Sequence, residues 1–249
     1  MSIITLLTDY GTADSYVAEV KAVLLAAAPG VLLVDVTHEV PPGAVRAGQY
    51  LLARSWHRFP GGTVHLVVVD PGVGSERRAL AAECDGHRFV APDNGLLSVL
   101  PAGARFVALA VRPQVAATFH GRDVFAPAAA RLATGWSLAA LGPAVTDAYR
   151  SPLPTPSQQR GGVEGEVIYV DRFGNLITNI PGDLIPRRAT VLAGTTDVGV
   201  LRRTFADVAS GEPVAYVGSG GTVEIALRDG SAARGLGIGA GASVRAAAP

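Results

Sequence analysis

Reactive side chains in this chain are gathered in short clusters, most of them directly after an apolar run. Thr8-Asp9-Tyr10-Gly11-Thr12-Ala13-Asp14-Ser15 follows the first such run. Asp9 there is suited to accept hydrogen bonds from a vicinal diol, the usual way an acidic residue holds a ribose. The plainer alternative is that Asp9 satisfies the turn while Asp14 or Ser15 caps the next helix. Asp70-Pro71-Gly72-Val73-Gly74-Ser75-Glu76-Arg77-Arg78 puts an acid and two arginines on a glycine-containing loop after a second apolar run. It lacks the Gly-Lys-Ser/Thr ending of a P-loop and the spacing of a dinucleotide fingerprint, and its alternative is a solvated turn with surface arginines. Thr118-Phe119-His120-Gly121-Arg122-Asp123 sets His120 before a helix start, where an imidazole is either structural or catalytic. Further on, Asp171, Phe173 and Asn175 stand within five residues at a strand-turn-strand. That set can hold an ammonium, stack on a base and pair with an exocyclic amine. Gly218-Ser219-Gly220-Gly221 offers backbone N–H groups and a hydroxyl, either a carboxylate nest or a simple hairpin turn.

The elements that must position these residues fall into two textures. Up to about residue 150, strand-like and helix-like segments alternate: Ile3–Thr8, a helical spacing over Ser15–Ala28, Val31–Val36, a helical stretch over Gly43–Phe59, and Thr63–Val69. Continuous apolar strands separated by helices predict a mostly parallel sheet with helices on both faces. Asp9, His38 and Asp70 each lie at or just past the carboxyl end of a strand, the edge where open α/β sheets bind ligands. Ala79–Cys84 and His87–Ala91 read as a hairpin around Asp85-Gly86; Phe106–Val111 reads as another strand and Asp123–Thr134 as a helix. Ser151–Gly162, with three prolines and no apolar periodicity, reads as a linker. Beyond it come short strands at Gly165–Val170, Leu176–Ile180, Thr190–Ala193, Pro213–Val217, Thr222–Leu227 and Ser243–Ala246, separated by glycine-rich turns. These predict a small all-β barrel. The domain reading is therefore 1–150, a linker 151–162, and 163–249.

Bulk properties narrow the function classes. The 249 residues are 49% hydrophobic and 17% charged, with formal net charge zero, so a basic surface for nucleic acid is not expected. The single cysteine, Cys84, excludes an internal disulfide and a thiolate metal cluster; on a strand pattern it reads as a buried, inert thiol. The five histidines show no ligand spacing, and no metal is expected. No apolar stretch reaches the roughly 20 residues of a membrane span. The opening Met-Ser-Ile-Ile-Thr-Leu-Leu reads as a first strand and not a signal peptide, and a cytoplasmic protein is expected.

Taken together and in order, these clusters resemble the S-adenosyl-L-methionine hydroxide adenosyltransferases, also called S-adenosylmethionine hydrolases, relatives of the fluorinase and chlorinase enzymes. The resemblance runs from Thr8-Asp9-Tyr10-Gly11 through Asp70-Pro71-Gly72-Val73-Gly74, Ala91-Pro92-Asp93-Asn94-Gly95, Phe119-His120-Gly121-Arg122-Asp123 and Asp171-Arg172-Phe173-Gly174-Asn175 to Ser219 and Glu224-Ile225-Ala226. It implies an α/β domain followed by a β-barrel domain, and a homotrimer whose substrate lies between the first domain of one subunit and the second domain of its neighbour. It implies no cofactor, with S-adenosyl-L-methionine as the substrate. On the matching positions, Asp70, Arg77 and His120 carry the catalytic set. Asp9 holds the ribose hydroxyls, Phe173 and Asn175 contact the adenine, and Asp171 and Ser219 bind the amino and carboxylate ends of the methionine. The halogenating relatives carry an aromatic at the Asp70 position, threonine at Val73, serine at Gly121, arginine at Gly220, tryptophan at Gly43 and an inserted loop. Hydrolysis is therefore favoured over halide-dependent transfer; a nucleoside-binding protein without turnover is the remaining alternative.

Overall fold

The apolar runs at the start of the chain pair side by side. β1 (Ile3–Thr8) lies between β2 (Leu32–Thr37) and β3 (Val64–Val68), parallel to both, with Ile3 opposite Leu32 and Thr8 opposite Val68. The computed structural model describes residues 2–248; Met1 and Pro249, the outer ends of the two expected domains, lie outside the described residues. The chain divides into two units, Met1–Pro152 and Leu153–Pro249.

In the first unit β4 (Ala79–Cys84), β5 (His87–Pro92), β6 (Arg105–Leu109) and the short β7 (Ala144–Val145) extend the sheet to seven strands in the order β2-β1-β3-β5-β4-β6-β7. The sheet is mixed, which corrects the mostly parallel sheet that the strand–helix alternation predicts. β3 and β5 are parallel, but β5–β4, β4–β6 and β6–β7 are all antiparallel. The cause is the turn at Asp85 and Gly86, both at positive φ (49° and 75°). That is the two-residue geometry that matches strand twist and sends the chain straight back along its neighbour.

Helices α1 (Tyr16–Ala27) and α3 (Ala126–Ala133) share one core with the sheet. Val20 and Leu24 from α1 and Ala129 and Leu132 from α3 are buried against Ile4, Leu6, Leu66 and Val90. α2 (Val45–Ser55) packs through Gly48, whose missing side chain admits Leu96 and Val69. The sequence pattern starts the third helix at Asp123; the chain instead enters it through a single wide π turn over Gly121–Phe125, closed by the Ala126 N–H on the Gly121 carbonyl. Such turns interrupt α-helices mostly at functional sites. Pro127 lies in the first turn of α3, where a missing N–H costs nothing.

In the second unit β8 (Ser157–Gln159), β9 (Gly162–Val170), β10 (Leu176–Pro181), β11 (Thr190–Ala193), β12 (Thr196–Val200), β13 (Pro213–Val217), β14 (Thr222–Leu227) and β15 (Ser243–Ala247) form an antiparallel sheet ordered β12-β11-β15-β9-β10-β14-β13, with β8 paired to β9. A bridge from Arg202, just past β12, to Tyr216 of β13 nearly closes it into a barrel. Val163, Val167, Leu176, Ile225 and Val244 fill its interior. Two strands are absent from the sequence reading. β8 lies inside the segment 151–162 read as a linker, and β12 carries Asp197 and Gly199, residues poorly suited to strands. A five-residue helix, α4 (Ala232–Leu236), is capped by the Ser231 hydroxyl.

Phe125 ties the helix entry to the first core. It is fully buried, and the Arg77 guanidinium carbon lies 5.3 Å from its ring centre. Phe125→Ala is expected to lower the unfolding free energy by about 3–5 kcal/mol, measured by urea denaturation; a loss below about 1 kcal/mol would mean the π turn is not anchored through this ring.

Candidate active site

The register of β1 and β3 brings two acids together. Because Thr8 lies opposite Val68, Asp9 and Asp70 leave the carboxyl edge of neighbouring parallel strands. Asp9 Oδ2 accepts a hydrogen bond from the Gly43 backbone N–H at 2.8 Å. Burial raises the Asp9 pKa; the Gly43 and its own backbone N–H bonds pull it back, and the negative charge of Asp70 adds a smaller push upward.

Asp70 is locked by Arg77. Nε donates to Oδ1 at 2.9 Å and Nη2 donates to Oδ2, a two-pronged pair. The two side chains are only 5% and 9% exposed. The same Nη2 donates to His120 Nδ1 at 3.0 Å. A guanidinium only donates, so His120 Nδ1 carries the lone pair and its proton resides on Nε2. Burial lowers the His120 pKa, and the Arg77 charge lowers it further against the weaker opposing pull of Asp70 and Asp123. The imidazole is thus held neutral.

The loop that delivers Arg77 is built for a tight return. Ser75 Oγ donates to the Gly72 carbonyl at 2.7 Å and accepts from the Arg77 N–H at 3.3 Å. Gly74 has φ +78°, and a Cβ there would meet the Ala117 carbonyl oxygen at 2.7 Å, so no other residue fits without moving backbone. The second arginine is used differently, since Arg78 pairs with Asp93 and Asp147. Asn94 Nδ2 donates to the Val69 carbonyl at 2.8 Å, fixing the chain just before Asp70. The Pro92-Asp93-Asn94-Gly95 turn therefore supports the site from outside. His38 is likewise structural, its Nδ1 sharing a hydrogen bond with the Thr8 hydroxyl at 2.8 Å. Cys84 is buried, and burial pushes its thiol pKa up.

Asp9, Asp70 and His120 face one cavity of about 450 Å³, together with Val73 and Gly121. Arg77 does not line it but bonds to two side chains that do. Three aromatic rings missing from the sequence reading as site residues, Tyr10, Tyr16 and Phe119, form a mutually packed wall with centroids 5.3–6.2 Å apart. Tyr10 adjoins Asp9 and Phe119 adjoins His120 in sequence, a signal for those two; Tyr16 carries none. Arg122 and Glu19 complete the rim and pair with each other at 2.9 Å; Arg122 also pairs with Asp123, whose carboxylate accepts the Ala116 N–H.

The other four candidates belong to the second unit. Asp171 organises its own turn: Oδ1 accepts the N–H of Phe173 at 2.9 Å and of Asn175 at 2.8 Å, and Oδ2 accepts the Asn175 side-chain amide at 2.8 Å. Asn175 is buried while Phe173 is 76% exposed. Phe173 and Asn175 line a second, open cavity of about 650 Å³ with Phe205, Arg228, Asp229 and Gly230. Asp171 does not line that cavity but bonds to Phe173 and Asn175, which do. Ser219 is exposed in the turn between β13 and β14 and lines neither cavity. Among the described residues there is no group of three or more histidine, cysteine or carboxylate side chains able to hold a metal, and no helix is long and apolar enough to cross a membrane.

Comparison with known proteins agrees with this division. The SAM hydroxide adenosyltransferase N-terminal domain matches residues 4–142 and the C-terminal domain of the same family matches residues 165–245. A protein of Thermus thermophilus named (R)-S-adenosyl-L-methionine hydrolase is 44% identical, over 96% of this chain and 97% of its own length. One of the same name from Salinispora tropica is 43% identical, over 98% and 97%. A more distant relative from an Actinoplanes species, 31% identical over 90% of each chain, is named a fluorinase. The crystal structure of an uncharacterized conserved protein from Thermotoga maritima superposes with a TM-score of 0.90 at 35% identity, covering 98% of this chain and all of the other. Both domain matches in sequence order, and full-length relatives at 43–44% identity, place this chain in the SAM hydroxide adenosyltransferase family.

Proposed function

We propose that this protein hydrolyses S-adenosyl-L-methionine to adenosine and L-methionine, by in-line attack of water at C5′. The observation that carries the reading is the Asp70–Arg77–His120 chain, whose two outer members face the same cavity as Asp9. The relatives named as hydrolases of this substrate support it.

The substrate sulfonium is already a cationic leaving group. When the C5′–S bond breaks, its electron pair stays on sulfur and methionine departs neutral at that atom, so neither a proton donor nor a Lewis acid is needed there. No cofactor enters the reaction. What the protein must do is hold one water in line and accept one proton as the new C5′–O bond forms, releasing that proton afterwards to solvent. Holding the reactants in line contributes up to about 7–11 kcal/mol when geometry is ideal. His120, with Nδ1 occupied by Arg77, presents Nε2–H and orients the water oxygen. Asp70 is the acceptor for the water proton. Arg77 fixes both and stabilises hydroxide character through its desolvated charge. Asp9 holds the ribose diol. Halide-dependent transfer is disfavoured: Val73 and Gly121 line the cavity where the halogenating relatives carry hydroxyl side chains.

In the same reading Phe173 and Asn175 meet the adenine, and Asp171 and Ser219 meet the amino and carboxylate ends of the methionine. The binding set is shared between two subunits of a cytoplasmic homotrimer, the first unit of one and the second unit of its neighbour. Nucleic acid and membranes play no part.

Incubation in ¹⁸O-water is expected to place the label in the 5′-hydroxyl of the adenosine released; adenosine lacking the label, halogenated adenosine, or binding without release would each overturn the reading. Asp70→Asn and His120→Ala should each lower kcat by about 10²–10⁴-fold with little change in KM. Mixing Asp70→Asn with Asp171→Ala subunits, each weak alone, should restore about a quarter of wild-type activity, the share of interfaces that pair two intact halves in random trimers. No recovery after demonstrated subunit exchange would place the whole site in one chain. Because His120 is held below its ordinary pKa of about 6.5, it stays neutral at pH 7. It charges only as the pH falls through that lowered value, and Nδ1 then ceases to accept from Arg77. An NMR titration of the His120 imidazole should show a midpoint below about 6.5, with activity falling through the same range; a midpoint at or above that ordinary value contradicts the arrangement.

A further inference from the structure

Tyr10 follows Asp9 and lines the same cavity as Asp70 and His120. Its ring is fixed edge-on against Phe119, with centroids 5.9 Å apart at 77°, and is tilted against Tyr16. Its hydroxyl, by contrast, has no hydrogen-bond partner among the described residues. That oxygen lies over Gly121: a Cβ built at Gly121 would overlap it and come within 3.0 Å of the Tyr10 Cζ. Gly121 is therefore glycine because a phenol occupies the place of its side chain. The ring is largely buried and both Asp9 and Asp70 oppose a negative charge there, so the phenol pKa is pushed upward and the group stays protonated.

A water poised for in-line attack has four positions to satisfy. One lone pair faces C5′ and the other takes the His120 Nε2–H. One hydrogen goes to Asp70, and the last remains on the product alcohol. The Tyr10 oxygen is a further polar atom on the cavity wall, and it is the one that lies against Gly121. The geometry points to Tyr10 as a further catalytic residue whose hydroxyl oxygen accepts the retained hydrogen of the attacking water and, with Asp70, defines a water-sized seat above Gly121. This rests on the hydrolytic reading given above. It assigns to the residue beside the ribose-binding acid a role in choosing the nucleophile.

Tyr10→Phe keeps the ring and removes only the oxygen. Expected are a roughly tenfold fall in kcat, the equivalent of one hydrogen bond, a KM for S-adenosyl-L-methionine within about twofold of wild type, and an unchanged melting temperature. A purely structural tyrosine would shift the melting temperature and leave kcat in place. Wild-type kcat in Tyr10→Phe, with wild-type enzyme active, overturns the proposal and leaves the hydrolase reading standing; a wild-type enzyme that releases no adenosine removes both. A second measurement does not depend on turnover. Gly121→Ala should lower the melting temperature more in the Tyr10 protein than in Tyr10→Phe, since the overlap is with the hydroxyl. Equal losses in the two backgrounds would show that the phenol does not occupy the space over Gly121.

Discussion

One guanidinium holds this site together. Arg77 grips a buried carboxylate through Nε and Nη2 and reaches a buried imidazole through the same Nη2, which carries two hydrogens. Taking a charged pair out of water is costly, and it is offset here only because the donors match the acceptor geometry and the ring of Phe125 lies beneath the cation. Removing one partner of such a pair costs about 3–5 kcal/mol, since the other is left charged and dry. The arrangement therefore fixes two things at once: the tautomer of His120, and the direction in which Asp70 and His120 face the cavity. The tight loop through Gly74 and the π turn at Gly121 place the two ends of this chain.

The position of the site follows from the sheet. Parallel strands present their carboxyl ends on one edge, so the residues after β1 and β3 emerge side by side. Past β5 the hairpin turn reverses direction, and the antiparallel half has no such common edge. Asp9 and Asp70 therefore emerge at the parallel half, and the residues just past β5, parallel to β3, supply supports beside them: Asn94 on the Val69 carbonyl and Asp93 on Arg78.

Much of this is legible in the residues themselves. Acids directly after apolar runs point to Asp9 and Asp70, and strand ends locate well because apolar runs stop abruptly. The sheet's direction is less accessible, although Asp85-Gly86 already demands a reversal that strand–helix alternation does not convey. The bond between Arg77 and His120 joins residues 43 positions apart in sequence; ordered motifs of a known family suggest the set, but spacing along the chain carries no such information. The aromatic wall escapes the sequence for a related reason. Tyr10, Tyr16 and Phe119 each look like ordinary core residues on a local pattern, and only tertiary packing turns them toward a cavity. In the second unit, Asp171 reads from sequence as a ligand for an ammonium group, and its carboxylate proves to be engaged first by its own turn.

That engagement has an energetic meaning for molecular recognition. A loop left floppy must surrender backbone freedom when a guest arrives, at roughly 1–2 kcal/mol for each residue immobilised. Here the three hydrogen bonds to Asp171 freeze the Phe173–Asn175 corner during folding, while the Phe173 ring stays largely in solvent. The entropic penalty falls on the folding step, so a flat heterocycle stacking on that ring meets a surface already rigid, and discrimination there rests on shape and not on accommodation.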